Sequence, residues 1–192
     1  MKIFWFDVET SGLDPKKHDI LTLSAIVDID GKVVDQLHLE MQPFSYENME
    51  KSALEINGLD EASIRTFMTP QEGFKQLQAF LARHCNKFDK NDKYIPAGHN
   101  VVFDLNFLGE FYAKNGDKYL YSWLDYHKLC TASLVLALHG CGLLNITSFK
   151  LAELAKRFGL EIEAHTSKSD IDVTRQIFYL IKERLSFNAV GL

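Results

Sequence analysis

The sequence IFWFDVETSGLDP, residues 3–15, places two carboxylates at the end of an apolar run rich in aromatics. Such a run is typical of a buried strand, and Gly12 and Pro15 end it. Because side chains alternate across a strand, we expect Asp7 and Glu9 on one face, about 6.5 to 7 Å apart. Like charges about 4 Å apart cost roughly 4 kcal/mol at an effective dielectric constant near 20, which favours a bound cation. Oxygen ligands without a nearby cysteine favour magnesium or manganese over zinc, although a solvated strand end is the alternative for this pair alone.

Length and composition favour a globular protein. With 192 residues, 46% of them hydrophobic, the chain can bury a well-formed core, and we expect one domain over residues 1–192. No apolar run approaches the ~20 residues that span a bilayer, and Lys2 leads at once into the strand. We therefore expect a cytoplasmic protein without a signal peptide or a membrane partner.

Cysteine usage and charge exclude further classes. The three cysteines are widely spaced, without a CxxC pair, which argues against a disulfide framework and against structural zinc. The formal net charge is −5, and no strong basic tract is present. If the substrate is a nucleic acid, we expect bound metals, backbone amides and stacking to hold a short segment of it, and we do not expect long duplex tracking.

The first third of the chain predicts an antiparallel meander. Residues 19–29 and 32–40 have strand character, and Asp30-Gly31 between them is a strong hairpin signal. Together with the first strand they form three consecutive strands.

Helices and strands alternate in the rest of the chain. This order predicts an α/β architecture with a mixed sheet, whose active site lies outside the strand ends. The predicted elements are strands at 93–98 and 118–124, a short helix at 49–56, another capped by Asp60, a helix started by Thr69 and Pro70, and helices at 101–115, 126–138, 148–157 and 170–185.

Three further polar residues are candidates for chemistry. Asp104 lies in the first turn of its predicted helix, where an acid that complements the helix dipole is the simpler interpretation. His165 lies in a polar loop five residues before Asp170, which opens the last helix. Taken singly, Asp170 is interpreted as a helix N-cap and His165 as a surface residue.

Taken together, these segments resemble a known family. FDVETSGL at 6–13, GHNVVFDLNFL at 98–108, and His165 with Asp170 and Thr174 resemble the three motifs of the DEDDh 3′–5′ exonucleases. These are the DnaQ-like enzymes related to the proofreading epsilon subunit of bacterial DNA polymerase III. INGL at 56–59 and the helix ending near Gly159 are also similar, so the resemblance covers nearly the whole chain. The related tyrosine class carries its Tyr four residues before the last Asp, where this chain has Thr166, so the histidine type is indicated.

The resemblance implies a fold and a metal site. The fold is ribonuclease H-like, with a mixed five-stranded sheet (the antiparallel meander plus two parallel strands) flanked by helices. Asp7, Glu9, Asp104 and Asp170 hold two Mg²⁺ or Mn²⁺ ions, and His165 is the general base. Two cations about 3.5 to 4 Å apart can clamp the attacking and leaving oxygens of a phosphodiester displacement, and imidazole, with a pKa near 6.5, can take the water's proton.

The same resemblance implies substrate contacts. Backbone amides from Thr10 through Ser11 to Gly12 meet the terminal 3′ nucleotide, and Leu13 wedges against its base. Asn57, His99, Asn100 and Phe103 are further contact candidates. For Phe103 a buried core aromatic is an equally good interpretation. Ile171 is a departure, since the family has a small residue after the last catalytic Asp.

The predicted function is metal-dependent 3′–5′ exonuclease activity on single-stranded or frayed 3′ ends, releasing nucleoside 5′-monophosphates. DNA is favoured over RNA, and a DNA polymerase or repair protein is a candidate partner. One alternative is an exoribonuclease of small RNAs, because sugar preference depends on contacts to the 2′-hydroxyl. The other is a catalytically silent nucleic-acid-binding subunit, against which the complete acid set argues.

Overall fold

The computed structural model describes residues 1–162 and 166–189, with side chains through residue 186. Its centre is a five-stranded sheet with the order β3-β2-β1-β4-β5. Strand β1 is antiparallel to β2 and parallel to β4, which confirms the predicted mixed sheet. The strands are β1 (Lys2–Thr10), β2 (Ile20–Ile29), β3 (Lys32–Glu40), β4 (Ile95–Gly98) and β5 (Leu129–Cys130).

The predicted hairpin joins β2 to β3. Asp30 and Gly31 have φ angles of 53° and 89°, the left-handed values that a tight hairpin turn requires at both central positions. The turn pairs Ile29 with Lys32, and a register shift between Val27 and Asp28 then brings Ser24 opposite His38. The antiparallel pairing of β1 with β2 and of β2 with β3 confirms the predicted meander.

Seven α-helices are present among the described residues. They are α1 (Lys51–Asn57), α2 (Glu61–Ile64), α3 (Pro70–Ala82), α4 (Val101–Lys114), α5 (Thr131–Gly140), α6 (Leu151–Phe158) and α7 (Ser167–Ala189). Thr69 caps α3 as predicted, since its side chain accepts a hydrogen bond from the Glu72 amide while the Glu72 side chain accepts one from the Thr69 amide. Helix α6 begins later than predicted, after Lys150.

The predicted strand at 118–124 is wrong. Its middle is a short 3-10 helix, Leu120–Ser122. Leu120, Trp123 and Leu124 are buried while Tyr119 and Tyr121 are exposed, so the apolar residues recur at helical spacing.

The fifth strand lies where a helix was predicted. Leu129 and Cys130 pair in parallel with Ala97 and Gly98, and α5 begins only at Thr131. The predicted helix start near residue 126 is therefore wrong, because pairing with β4 outweighs the local helical pattern.

The two faces of β1 serve different layers. Phe4, Phe6 and Val8 pack into the main core, which α3 and α4 cover. Ile3 and Trp5 face the other way and pack with Ile171 of α7. Strand alternation then places Asp7 and Glu9 on the α7 side, at the end of the strand. No helix in the described ranges combines the length and apolarity needed to cross a membrane.

Candidate active site

Three acids from the two ends of the chain meet beside β1. Asp7 and Glu9 lie on one face of the strand, and Asp170 comes from the first turn of α7. Each offers a carboxylate oxygen, and these oxygens lie within 4.8 Å of one another. Helix α7 begins at Ser167, so the interpretation of Asp170 as an N-cap is wrong: it lies inside the first turn, and its amide donates to the Thr166 carbonyl.

The fourth predicted acid, Asp104, is buried next to this group. Because β4 runs parallel to β1, the helix that follows it starts beside the end of β1. The Asp104 Oδ1 accepts a hydrogen bond of 3.2 Å from the Val8 amide, and the residue is 3% exposed. The interpretation of Asp104 as an acid that only complements the helix dipole does not explain why its side chain is buried.

Burial and mutual repulsion perturb the acids. Burial, followed by the charges of Asp104, Glu9 and Asp170, raises the pKa of Asp7 well above its ordinary value. Burial and the charge of Asp170 raise the pKa of Glu9 to about 7. Burial also raises the pKa of Asp104 to about 7, against the lowering effect of its backbone hydrogen bonds. Each carboxylate is destabilised as an anion, which a bound cation would reverse.

The donor set fits hard divalent cations. All the converging ligand atoms are carboxylate oxygens, the ligands that magnesium and manganese prefer. Burial first, and the neighbouring carboxylates second, raise the pKa values of Asp7 and Glu9, and a bound cation would offset both effects. Asp7, Glu9 and Asp170 are thus the residues that could hold a metal directly. Asp104 is near enough to Asp7 for its charge to raise the Asp7 pKa.

The predicted substrate loop follows β1 without a gap. Ser11 is fully buried: its amide donates to the Asp19 carbonyl, and its Oγ accepts from the Asp19 amide, both at 2.9 Å. Gly12 lies against the ring of His18, where a Cβ atom would approach to 2.5 Å. Leu13 is 76% exposed at the tip. The loop therefore has a rigid base and an exposed apolar end.

Two further substrate candidates, Asn57 and Thr10, are hydrogen-bonded to that loop. The Asn57 Nδ2 donates to the Thr10 carbonyl at 3.0 Å, so α1 is tied to the end of β1. Thr10 is itself buried, with its Oγ1 donating to the Gly12 carbonyl at 2.7 Å. Both side chains hold the loop in place.

The candidates on α4 and before it differ in environment. His99 uses both ring nitrogens: Nε2 lies 2.9 Å from the Phe149 carbonyl and Nδ1 lies 2.9 Å from the Thr131 hydroxyl. Since a carbonyl only accepts, Nε2 carries the proton. Burial lowers the His99 pKa, against the raising effect of the bond to Phe149. Asn100 is exposed and left-handed, with φ of 63°. Phe103 is half-buried with its ring 4.9 Å from that of Phe107, so both interpretations of it stay open.

The predicted base, His165, lies outside the described residues. The structure also reveals polar residues that the motif argument missed. Thr22 and Ser24 of β2 hydrogen-bond to Ser167, on the face that carries the acids. A signal existed, because Thr22 and Ser24 alternate with apolar neighbours and lie opposite Glu9 and Asp7.

A groove adjoins the acid cluster. It encloses about 300 Å³ and is lined by Glu9, Asn57 and the start of α7, among others. Its place beside Glu9 makes it a route for an extended ligand to the carboxylates.

Comparisons with known proteins agree with this geometry. The family model described as Exonuclease matches residues 4–178. Ribonuclease T of Vibrio vulnificus (strain YJ016) is 29% identical over 182 residues, covering 90% of this chain and 80% of that protein. The PolC-type DNA polymerase III of Pediococcus pentosaceus is 26% identical over 176 residues, covering 91% of this chain but 11% of the polymerase.

Solved structures show the same fold. E. coli exonuclease I in complex with a dT13 oligonucleotide superposes with a TM-score of 0.79 at 19% identity. The match covers 99% of this chain and 43% of exonuclease I, so the chain spans less than half of that protein. The sheet order and the matched neighbours confirm the ribonuclease H-like architecture. The chain therefore belongs to the DnaQ-like exonuclease family, and it is a 3′–5′ exonuclease, a hydrolase of phosphodiester bonds.

Proposed function

We propose that this enzyme removes nucleotides from the 3′ ends of single-stranded or frayed DNA and releases nucleoside 5′-monophosphates. The observation that carries the proposal is the convergence of Asp7, Glu9 and Asp170 within 4.8 Å, with Asp104 buried beside them. The oligonucleotide in the exonuclease I complex supports DNA as the substrate class.

The four acids divide the work of holding two Mg²⁺ or Mn²⁺ ions. Asp7, Glu9 and Asp170 would hold the ions through their converging carboxylates, and Asp104 would complete the ligand set directly or through water. When bound, the ions supply Lewis-acid stabilisation of the phosphate charge and lower the pKa of the attacking water. His165 takes the proton from that water as general base.

The loop after β1 positions the terminal nucleotide. The buried Ser11, whose amide donates to the Asp19 carbonyl, and Asn57 fix the start of this loop, so the backbone at Thr10 and Gly12 is preorganised to meet the substrate. The exposed Leu13 wedges against the terminal base. An apolar wedge contacts any base, so we expect broad sequence tolerance. Asn100 and Phe103 face the same end of the sheet as weaker contacts, and the fully bonded His99 holds the start of α4 in place.

A digestion experiment tests the proposal. The protein is incubated with magnesium or manganese and a 5′-labelled single-stranded oligodeoxynucleotide, and we expect a ladder shortened from the 3′ end. Asp7→Asn and His165→Ala should abolish most of the activity, whereas Glu183→Gln, at an exposed position of α7, should leave it unchanged. Full activity of His165→Ala, or no activity of the wild type with either ion, would contradict the mechanism.

A second candidate is a 3′–5′ exoribonuclease. It is favoured by the similarity to ribonuclease T, which extends over 80% of that protein. Matched RNA and DNA oligomers of one sequence, digested side by side, distinguish the two because only RNA offers a 2′-hydroxyl. Faster digestion of RNA at equal metal concentration would replace DNA as the proposed substrate. The polymerase similarity likewise supports a DNA polymerase as a partner, which co-purification would test.

A further inference from the structure

The acid cluster has a row of hydroxyl side chains beside it. In the pairing of β1 with β2, Asp7 lies opposite Ser24 and Glu9 lies opposite Thr22. Directly opposed residues share one face of the sheet, with Cβ atoms roughly 4.5 to 5.5 Å apart. Thr22 and Ser24 therefore lie next to the metal-binding carboxylates, on the side that α7 covers.

Helix α7 is hydrogen-bonded to this row at its first residue. The Ser167 Oγ lies 2.8 Å from the Ser24 Oγ and 3.1 Å from the Thr22 Oγ1. The Ser24 Oγ lies in turn 2.8 Å from the His38 Nδ1 on β3. Thr22, Ser24 and Ser167 are all buried, so water does not compete for these bonds. We call these three residues with His38 the hydroxyl relay.

The relay lies one helical turn from a predicted metal ligand. Ser167 precedes Asp170 by three residues, so both lie on one side of the first turn of α7. The next contact of the helix with the sheet is apolar, between Ile171 and residues such as Trp5. Apolar packing is non-directional, whereas hydrogen bonds constrain distance and angle. The relay therefore constrains the rotation and height of the first turn, and the ion pair of Arg175 with Asp28, at 2.8 Å, constrains α7 further along the helix.

We propose that the hydroxyl relay is a positioning device that holds Asp170 at the right distance from Asp7 and Glu9 to share a divalent cation. The inference rests on the proposed function, since it assumes that these acids bind metal. Ser167, Ser24, Thr22 and His38 are positioning residues, although Thr22, Ser167 and the exposed His38 also line the groove beside Glu9. They act by fixing where the first turn of α7 lies on the sheet.

The substitution Ser167→Ala tests this role. It removes one hydroxyl and adds no volume, so the helix can still pack. Loss of a group that orients a metal ligand typically costs 10- to 100-fold in metal affinity or activity. We expect the Mn²⁺ dissociation constant, measured by titration calorimetry on the metal-free protein, to rise about tenfold. We expect kcat to fall by a similar factor, with KM for a single-stranded oligonucleotide unchanged.

Two further measurements separate positioning from simple stabilisation. Amide hydrogen exchange of the metal-free Ser167→Ala protein should become faster in the first turn of α7 and stay unchanged in β1. Ser24→Ala should weaken Mn²⁺ binding in the same direction, and combining it with Ser167→Ala should add less than the sum, because both act through one network. If Ser167→Ala does not fold, Ser24→Ala carries the test alone.

The matched control is Ser186→Ala on the same helix. Its exposed hydroxyl donates to the Lys182 carbonyl, far from the relay, and its loss should change neither metal affinity nor kcat. Wild-type Mn²⁺ affinity and kcat in folded Ser167→Ala would overturn the inference. A wild type that binds Mn²⁺ but hydrolyses no nucleic acid would instead contradict the proposed function.

Discussion

Glu9→Gln should stabilise the metal-free protein at alkaline pH. Burial and the neighbouring Asp170 raise the pKa of Glu9 from 4.5 to about 7 in the folded protein. A raised acid pKa means that the folded state holds the proton more tightly than the unfolded state, so ionisation destabilises the fold. The penalty is small below the unfolded pKa, grows between pH 4.5 and 7, and is complete above that range.

The magnitude follows from the size of the rise. At ~1.36 kcal/mol per pKa unit, a rise from 4.5 to about 7 corresponds to about 3 kcal/mol of lost stability at pH 8, and below about 0.5 kcal/mol at pH 4.5. Glutamine keeps the shape of the side chain without its charge, so the substitution should recover most of this energy. It should also lower the pKa of Asp7, because the charge of Glu9 raises that pKa.

Urea unfolding with a chelator present measures the effect. The difference in unfolding free energy between Glu9→Gln and wild type should grow from pH 4.5 to pH 8, while the exposed control Glu183→Gln follows the wild type. Saturating manganese should reverse the order, because the wild type gains more from binding. A Glu9→Gln protein no more stable than the wild type at pH 8 without metal would refute the electrostatic argument.

Three other substitutions have expected outcomes. Gly12→Ala should lower the melting temperature and raise KM for single-stranded DNA, since its Cβ would lie 2.5 Å from the His18 ring; an unchanged KM would show that the loop adapts. Leu13→Ala should change stability by less than about 0.5 kcal/mol, because the side chain is 76% exposed, yet raise KM in steady-state digestion if it is the wedge. Arg175→Met should lower the free energy of unfolding in urea by about 3–5 kcal/mol, because it removes the 2.8 Å partner of the fully buried Asp28. Adding Asp28→Asn should restore the stability, which would verify the cause.

Several features of the fold are encoded by short stretches of sequence and could be predicted from them. The Asp30-Gly31 turn needs two left-handed residues in succession, which few other dipeptides supply, and it specifies the hairpin, whereas the register shift between Val27 and Asp28 has no such local signal. Thr69 with Pro70 marks a helix start because a cap and a proline at the first position act within one turn. Asp7 and Glu9 share a face because alternation is a property of any strand.

The motif resemblance extended this to partners far apart in sequence, such as Asp104 and Asp170. The resemblance did not identify Thr22 and Ser24, which are hydrogen-bonded to the start of α7.

Strand β5 could not be predicted from the sequence. Leu129 and Cys130 form a strand of two residues, which is too short to show any periodicity, and only their pairing with β4 makes them a strand.

The amino-acid sequence thus determined the meander, the main helices and the acids that converge, because each depends on local conformational preference or on a motif. Packing of α7 on the sheet decided the rest. It brings Ser167 to Thr22 and Ser24, which are 145 and 143 residues away along the chain. No local preference of serine or threonine encodes such a contact, since it exists only once the sheet face and the helix have buried their apolar residues together.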